Sequence, residues 1–309
     1  PHPARYRVHH QMEQLALWGY DADEVFYGSL RPEDIDRADM AILFRCPLTT
    51  AVEQMIERAH VQGKRVLFDI DDLVIHTKYT DDLPVVQAMS TDEKAVFDDG
   101  VMRNGRTLAL CDGAIVSTER LKTELQKVAP SVFVNRNVAS MEMLACSQAA
   151  LANVAPSNGN EVRIGYFSGS MTHNRDFAQI IPALTAVMEA NPQVILMVCG
   201  DLAIPDELQR FSHRIRSAQK VDWRELPQVI ASVDICIAPI ESTLFNEAKS
   251  ENKWTEASLV KVPLVASDVG AFHDMIEHGK TGFLCRSSEE WERTLIALAG
   301  DASLRARIG

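Results

Sequence analysis

The chain has 309 residues, 46% hydrophobic and 24% charged. That is enough for a real core in about two domains, and it excludes disorder, collagen and a small disulfide scaffold. The formal net charge is −12, from 31 basic and 43 acidic residues; a broad nucleic-acid footprint needs a dense positive face and is excluded, leaving room for a local basic pocket that holds one small anion.

The first half reads as strands at Glu24–Phe26, Met40–Phe44, Arg65–Asp69, Gly113–Val116 and Val132–Asn135. Helix-period segments fall among them at His9–Trp18, Thr50–Gln62, Thr91–Leu110 and Glu119–Val128. The runs Ala41-Ile42-Leu43-Phe44 and Val66-Leu67-Phe68 are continuously apolar, which predicts strands covered on both faces. The pattern stops from Met141 to Asn160, and the turn cluster Pro156-Ser157-Asn158-Gly159-Asn160 predicts a linker. This divides the chain into domains at 1–150 and 151–309. The second half predicts strands at Val162–Phe167, Val194–Cys199, Lys220–Val221, Ile235–Ala238, Pro263–Ala266 and Gly282–Leu284. Its predicted helices are Asp176–Ala190, Asp206–Arg216, Leu226–Ser232, Glu251–Val260, Ala271–His278 and Ser288–Leu298. Alternating strands and helices mean βαβ units, so the fold class is α/β with two doubly wound parallel-sheet domains. Ligands in such sheets bind outside the carboxyl ends of the strands.

No run approaches the ~20 apolar residues of a membrane span, and Pro1-His2-Pro3-Ala4-Arg5-Tyr6-Arg7 has no apolar signal core. The six cysteines stand singly, without a C-x-x-C pair. A zinc site is unsupported, buried reduced thiols are expected, and a reducing cytoplasm fits best.

Four stretches carry candidate chemistry. In Ile164–Asp176 a strand runs through Gly169 and Ser170 into a helix start with His173 and Arg175, which suits a pyrophosphate; an ordinary βα turn has the same composition. In Phe245–Ala257, Lys249, Lys253 and Glu256 are spaced to share one helix face near its start. Lysines there oppose the helix dipole unless an anion compensates, and the alternative is a solvated, salt-bridged face. Asp69, Asp71, Asp72 and His76 lie at or just past a strand end, where carboxylates bind sugar hydroxyls, act as a base, hold Mg²⁺, or simply cap the next helix. Arg5-Tyr6-Arg7 either clamps an anion or forms a flexible tail. There is no G-x-S-x-G, no H-E-x-x-H and no nucleophilic cysteine context, so hydrolase chemistry is unsupported.

Taken in order, these stretches resemble the retaining glycosyltransferases of group 1 (family 4), with the two-domain GT-B fold. The likeness is narrower to bacterial polysaccharide or O-antigen transferases. It is carried by Thr172-His173-Asn174-Arg175-Asp176, by Lys249-Ser250-Glu251-Asn252-Lys253-Trp254-Thr255-Glu256, and in the first half by Arg5-Tyr6-Arg7-Val8, Phe68-Asp69-Ile70-Asp71-Asp72-Leu73, Val116-Ser117-Thr118 and Asn135-Arg136-Asn137. The resemblance implies two Rossmann-like domains facing a central cleft, an acceptor-side N-terminal domain and a C-terminal donor domain. It implies that Gly169 and Ser170 approach the donor phosphates and that Arg175 stands where the family often has a phosphate-binding lysine. Glu251 and Asn252 begin the helix facing the diphosphate, Glu256 binds the ribose as the second acid of E-x7-E, and Val221–Trp223 holds the base.

The sequence departs from the pattern in three ways. The first acid of E-x7-E is replaced by Ala248, with Lys249 taking part of its function. The arginine that often follows the loop glycine is Ser170. The first strand and glycine loop before Arg5, and a last crossing helix after Gly309, are not in the sequence, as in a fragment.

The implied activity is transfer of a sugar from a nucleoside-diphosphate donor to a glycan or lipid-linked glycan, without a metal or other cofactor, in bacterial surface polysaccharide synthesis. Lys253 and Arg175 would steady the leaving diphosphate, with Asp71, Asp72 and His76 orienting the acceptor. The expected setting is cytoplasmic, at the inner face of the membrane or within a larger synthase. The rivals are a nucleotide-sugar epimerase or phosphorylase of the same fold, and a non-catalytic sugar-nucleotide-binding module.

Overall fold

The computed structural model describes residues 2–154, 161–168 and 174–309. Gly169, Ser170, His173 and the cluster from Pro156 to Asn160 lie outside the described residues. The chain forms two units, one of residues 1–138 with Thr243–Ser250, the other of residues 139–242 with 251–309.

Unit 1 is built on four parallel strands, β1 (Met40–Phe44), β2 (Arg65–Ile70), β3 (Gly113–Val116) and β4 (Val132–Val134), ordered β1-β2-β3-β4. The helices Thr50–Val61, Thr91–Leu110 and Glu119–Leu125 bury Val52, Met55, Ile56, Leu108, Leu121 and Leu125 in one core with Val66, Phe68, Ile70, Ala114 and Val116. The continuous apolar runs predict cover on both faces of the sheet, and here the structure differs. Ile42 stays 44% exposed and Phe133 56%. Ile42 sits level with Leu67, and Phe133 level with Ile115, on the face opposite that core. The predicted strand at Glu24–Phe26 is also absent: the segment pairs with no strand, and Phe26 is exposed.

Unit 2 carries six parallel strands, β5 (Val162–Phe167), β6 (Val194–Cys199), β7 (Ile215–Ala218), β8 (Ile235–Ala238), β9 (Leu264–Ser267) and β10 (Phe283–Cys285). Their order is β10-β9-β8-β5-β6-β7. Read from the other edge, this is the 3-2-1-4-5-6 order of dinucleotide-binding sheets, which reverses direction between β5 and β8. Both faces are buried. Ile235 and Ile237 of β8 enter the core with Ile164, Leu196 and Val265, while Cys236 and Ala238 enter a second core with Leu264 and Ala266. That is the two-residue alternation of a strand packed on both sides.

Three elements correct the sequence reading. Met141–Asn153 is a helix, capped by Ser140 through the Met143 amide, and its Ala150 and Leu151 pack into the second core of unit 2. Asp206–Arg214 is a 3₁₀ helix, not an α-helix running to Arg216; its buried Leu208 and Phe211 are three residues apart, the period of a 3₁₀ turn. The following strand is therefore Ile215–Ala218, and Lys220–Val221 is irregular. The predicted helix Asp176–Ala190 divides into Asn174–Ala178 and Ile181–Ala190, the second carrying Pro182 in its first turn, where a missing N–H costs nothing.

Candidate functional site

In unit 2 the strand order places the ligand crevice outside the carboxyl ends of β5 and β8. Ser168, just past β5, is buried, and its amide donates to Cys199 O at 2.8 Å. At the end of β6, Gly200 has φ +100°, and a Cβ there would lie 2.1 Å from Ser168 O, so only glycine fits this close approach.

The helix Asn252–Leu259 delivers Lys253 to this edge. Its ammonium donates to Phe167 O, the last carbonyl of β5, and stands 5.4 Å from the centre of the Tyr166 ring. Tyr166 packs on Phe177 with centroids 4.7 Å apart. Burial pushes the Tyr166 hydroxyl up, and the Asp176 carboxylate adds to it. Burial likewise raises the Cys236 thiol of β8, with the Lys253 ammonium opposing and the Glu256 carboxylate adding, so both side chains lie near β8. Arg175 Nη2 lies 3.6 Å from Glu241 Oε1 in the loop after β8, and the Glu241 amide donates to Asp176 Oδ1 at 2.9 Å. Lys253, Glu256, Arg175, Asp176 and Glu241 are thus all on the elements that frame the switch point. Glu251 is buried as the N-cap residue of the helix, and Asn252 is its first residue. Trp223, beyond β7, carries the Arg224 guanidinium 4.5 Å from its ring centre.

Lys249 is a correction. The spacing predicts one helix face for Lys249, Lys253 and Glu256, but the helix begins at Asn252 and Lys249 belongs to unit 1 with the short helix Leu244–Glu247. The Thr118 hydroxyl donates to Ala248 O at 3.0 Å, and Ala248 is fully buried in the unit 1 core. Lys249 lies in the bend between the two helices, and its ammonium stands 5.6 Å from the Phe245 ring centre.

At the carboxyl edge of the unit 1 sheet, the flexible tail and the anion clamp are both overturned for Arg7. Its guanidinium is buried and engaged with Asp69 (Nε to Oδ1 2.8 Å, Nη2 to Oδ2 2.7 Å), with Asn135 O at 2.6 Å and with Asn137 Oδ1 at 3.1 Å. Asp71 and Asp72 both pair with Arg45, Asp71 at 2.6 Å from its Nε. Arg45 adopts φ +40°, uncommon for a non-glycine residue, and its amide donates to Asp69 O. His76 is exposed, and its Nδ1 accepts from the Lys78 amide at 3.1 Å, a capping contact. Sequence reasoning did not single out Arg45 or Glu241; only their position just past strand ends signals them. Among the described residues no group of three or more His, Cys, Asp or Glu is arranged to hold a metal ion.

Burial raises Asp71 to about 6, with Arg45 opposing and Asp72 adding. The folded state then binds the proton more tightly than the unfolded chain, so stability from this group is complete below the unfolded value of 3.8 and is lost as pH rises through about 6. Asp71→Asn is expected to remove that fall; urea midpoints measured from about pH 4 to 7 check it, and an unchanged slope contradicts it.

A doubly wound sheet with a lysine and an arginine at its switch point defines an α/β domain suited to an anionic, nucleotide-like ligand. Residues 162–301 match the model of the family described as Glycosyl transferases group 1. No curated protein matches the chain. Among solved structures, HepE from Anabaena in complex with UDP is similar with TM-score 0.59 and 16% identity, over 90% of this chain and 73% of that one. The pneumococcal O-GlcNAc transferase GtfA with UDP and GlcNAc has TM-score 0.56 and 16% identity, over 90% of this chain and 53% of that one. A TarM mutant from S. aureus with fondaparinux, α-GlcNAc-glycerol and UDP has TM-score 0.55 and 16% identity, over 79% of this chain and 45% of that one. No helix among the described residues is long and apolar enough to cross a membrane.

Proposed function

We propose that the protein is a retaining glycosyltransferase that moves a sugar from a nucleoside-diphosphate donor to a glycan or lipid-linked glycan acceptor in bacterial surface polysaccharide synthesis. The observation that carries this reading is the Lys253 ammonium held at the carboxyl end of β5 by Phe167 O and the Tyr166 ring. Arg175, on the segment following β5, supplies the second cation. Together with the first amides of the helix Asn252–Leu259, they stabilise charge that develops on the diphosphate as its bond to the sugar C1 breaks. The electron pair of that bond stays on the departing phosphate oxygen. The acceptor oxygen forms the new bond to C1, and its proton passes to the leaving phosphate. Glu256, one turn beyond Lys253, accepts from the ribose diol, and the Val221–Trp223 segment past β7 meets the base. Gly169, Ser170 and His173 complete the donor loop in this reading, and Asp71, Asp72 and His76 orient the acceptor. Metal independence belongs to the same reading, since side-chain cations and helix amides meet the diphosphate charge. So do a site of action at the inner face of the membrane and membership of a larger synthase.

The test is a thermal-shift screen against UDP, GDP, dTDP and ADP, each with and without attached sugars. At least one is expected to raise Tm by several degrees at saturating concentration. Glu256→Ala is expected to weaken that same ligand about tenfold, because it removes a charge-assisted contact worth about 1.5 kcal/mol or more. No shift with any of the four refutes the donor site.

A similar structure described as a putative UDP-N-acetylglucosamine 2-epimerase from Listeria monocytogenes, with TM-score 0.50 and 14% identity, favours the epimerase as the second reading. An epimerase converts its donor without an acceptor, so product analysis with donor alone separates the two.

A further inference from the structure

Two consecutive amides in the loop after β8 are held by side chains from two other elements, the strand β9 and the short helix Asn174–Ala178 that follows β5. Ile240 N donates to Ser267 Oγ at the end of β9, and Glu241 N donates to Asp176 Oδ1, both at 2.9 Å. The second bond spans the β5–β8 switch point and joins residues 65 apart in sequence. Asp176 is only 3% exposed. A carboxylate so deeply placed is costly unless hydrogen bonds use its oxygens. Its neighbour in the chain, Arg175, reaches into solvent with 61% of its side chain exposed, yet its guanidinium lies 3.6 Å from the carboxylate of Glu241. One buried residue thus governs both members of that pair: it anchors the turn that carries Arg175, and it fixes the backbone of the glutamate that Arg175 meets. An exposed arginine otherwise samples many rotamers, and ordering it on ligand binding weakens affinity.

We propose that Asp176 is a positioning residue which, through the backbone of Glu241, holds the Arg175 guanidinium at the mouth of the switch-point crevice, ready for the donor's diphosphate. The proposal rests on the donor-site reading above and deepens it. Glu241 serves as the resting partner, and the incoming diphosphate replaces its loose, half-exposed contact with stronger charge-assisted bonds. Asp176 itself touches no substrate.

Calorimetric titration tests this with the tightest binder among UDP, GDP, dTDP and ADP, and with the matching nucleoside monophosphate. Asp176→Ala is expected to lower affinity for the diphosphate about tenfold and for the monophosphate less than about twofold. Asp176→Asn, whose amide oxygen still accepts from the Glu241 amide, is expected to stay within about threefold of the wild type. In an Arg175→Ala background, Asp176→Ala is expected to change diphosphate affinity by less than about twofold, because the path runs through Arg175. Should Asp176→Ala fail to fold, Asp176→Ser is read in its place, being polar but too short to keep the bond. The proposal is overturned if a cooperatively folded Asp176→Ala or Asp176→Ser binds the diphosphate as the wild type does. It is overturned equally if diphosphate and monophosphate weaken alike, or if the loss persists undiminished without Arg175. A wild-type chain that binds none of the four diphosphates overturns the donor reading itself, a result distinct from the other three.

Discussion

Lys253→Ala is expected to slow sugar transfer at least ~100-fold, the effect of deleting one preorganised contact to charge that builds in the transition state, typically worth about 3–4 kcal/mol. The ammonium is held on one side by Phe167 O and lies over the Tyr166 ring, so it need not reorganise when the diphosphate departs. Its neighbours on the helix, Trp254 and Ala257, pack into the second core of unit 2 independently of it. The fold is therefore expected to survive the change. Lys253→Met separates charge from packing: it keeps the aliphatic stem beside Tyr166 and should be as slow as the alanine variant. Single-turnover rates, with the nucleotide sugar that gives the largest thermal shift, make the measurement. A loss in kcat with donor affinity little changed marks a contact made mainly in the transition state. Near-normal turnover in either variant removes Lys253 from the phosphate role.

The largest expected effect on stability lies in unit 1. Arg7 and Asp69 form a pair with side chains 0% and 3% exposed. Burial raises the Asp69 carboxyl, and the Arg7 guanidinium opposes that rise through two hydrogen bonds. Arg7→Met leaves the carboxylate buried without its counter-charge and takes the guanidinium away from Asn135 O, at an expected cost of about 3–5 kcal/mol. Replacing both partners, as Arg7→Met with Asp69→Leu, is expected to recover most of that loss, since no uncompensated charge remains. The penalty of the single variant should also shrink as pH falls, because Asp69 without Arg7 takes up a proton more readily and the neutral acid is cheaper to bury. Urea unfolding of the three proteins at neutral and mildly acidic pH reads all of this. A single-variant loss below about 1 kcal/mol contradicts the assignment.

How much of this was legible in the sequence varies with the physical signal. The start of the helix Thr91–Leu110 is marked by Ser90 and Glu93, which form a capping box, a local device with a local signature. Strands β6 and β8 are legible because both faces are buried, and two-faced burial writes an unbroken apolar run. The helix Met141–Asn153 is not. Glu142 is its single charged residue, and its alanines, leucines and methionines are spread among the few polar positions without a clear helical period.

Within the candidate site, Lys253, Arg175 and Glu256 could be named from spacing and resemblance. The partner of each could not. Lys249 satisfies the same i, i+4 arithmetic as Lys253, and only the structure shows that the helix begins after it, at Asn252. Arg45 gives no local sign that it turns through φ +40° to meet Asp71 and Asp72.

By itself, then, the sequence determined the α/β class, most strands and the segments that bear charge, because burial and capping repeat over distances of a few residues. Tertiary structure alone decided that β5 lies beside β8, that Asp176 meets the Glu241 amide and that Arg7 is buried on Asp69. Those outcomes depend on strand order and long-range closure, where the cost of isolating a charge from water selects partners that no local pattern records.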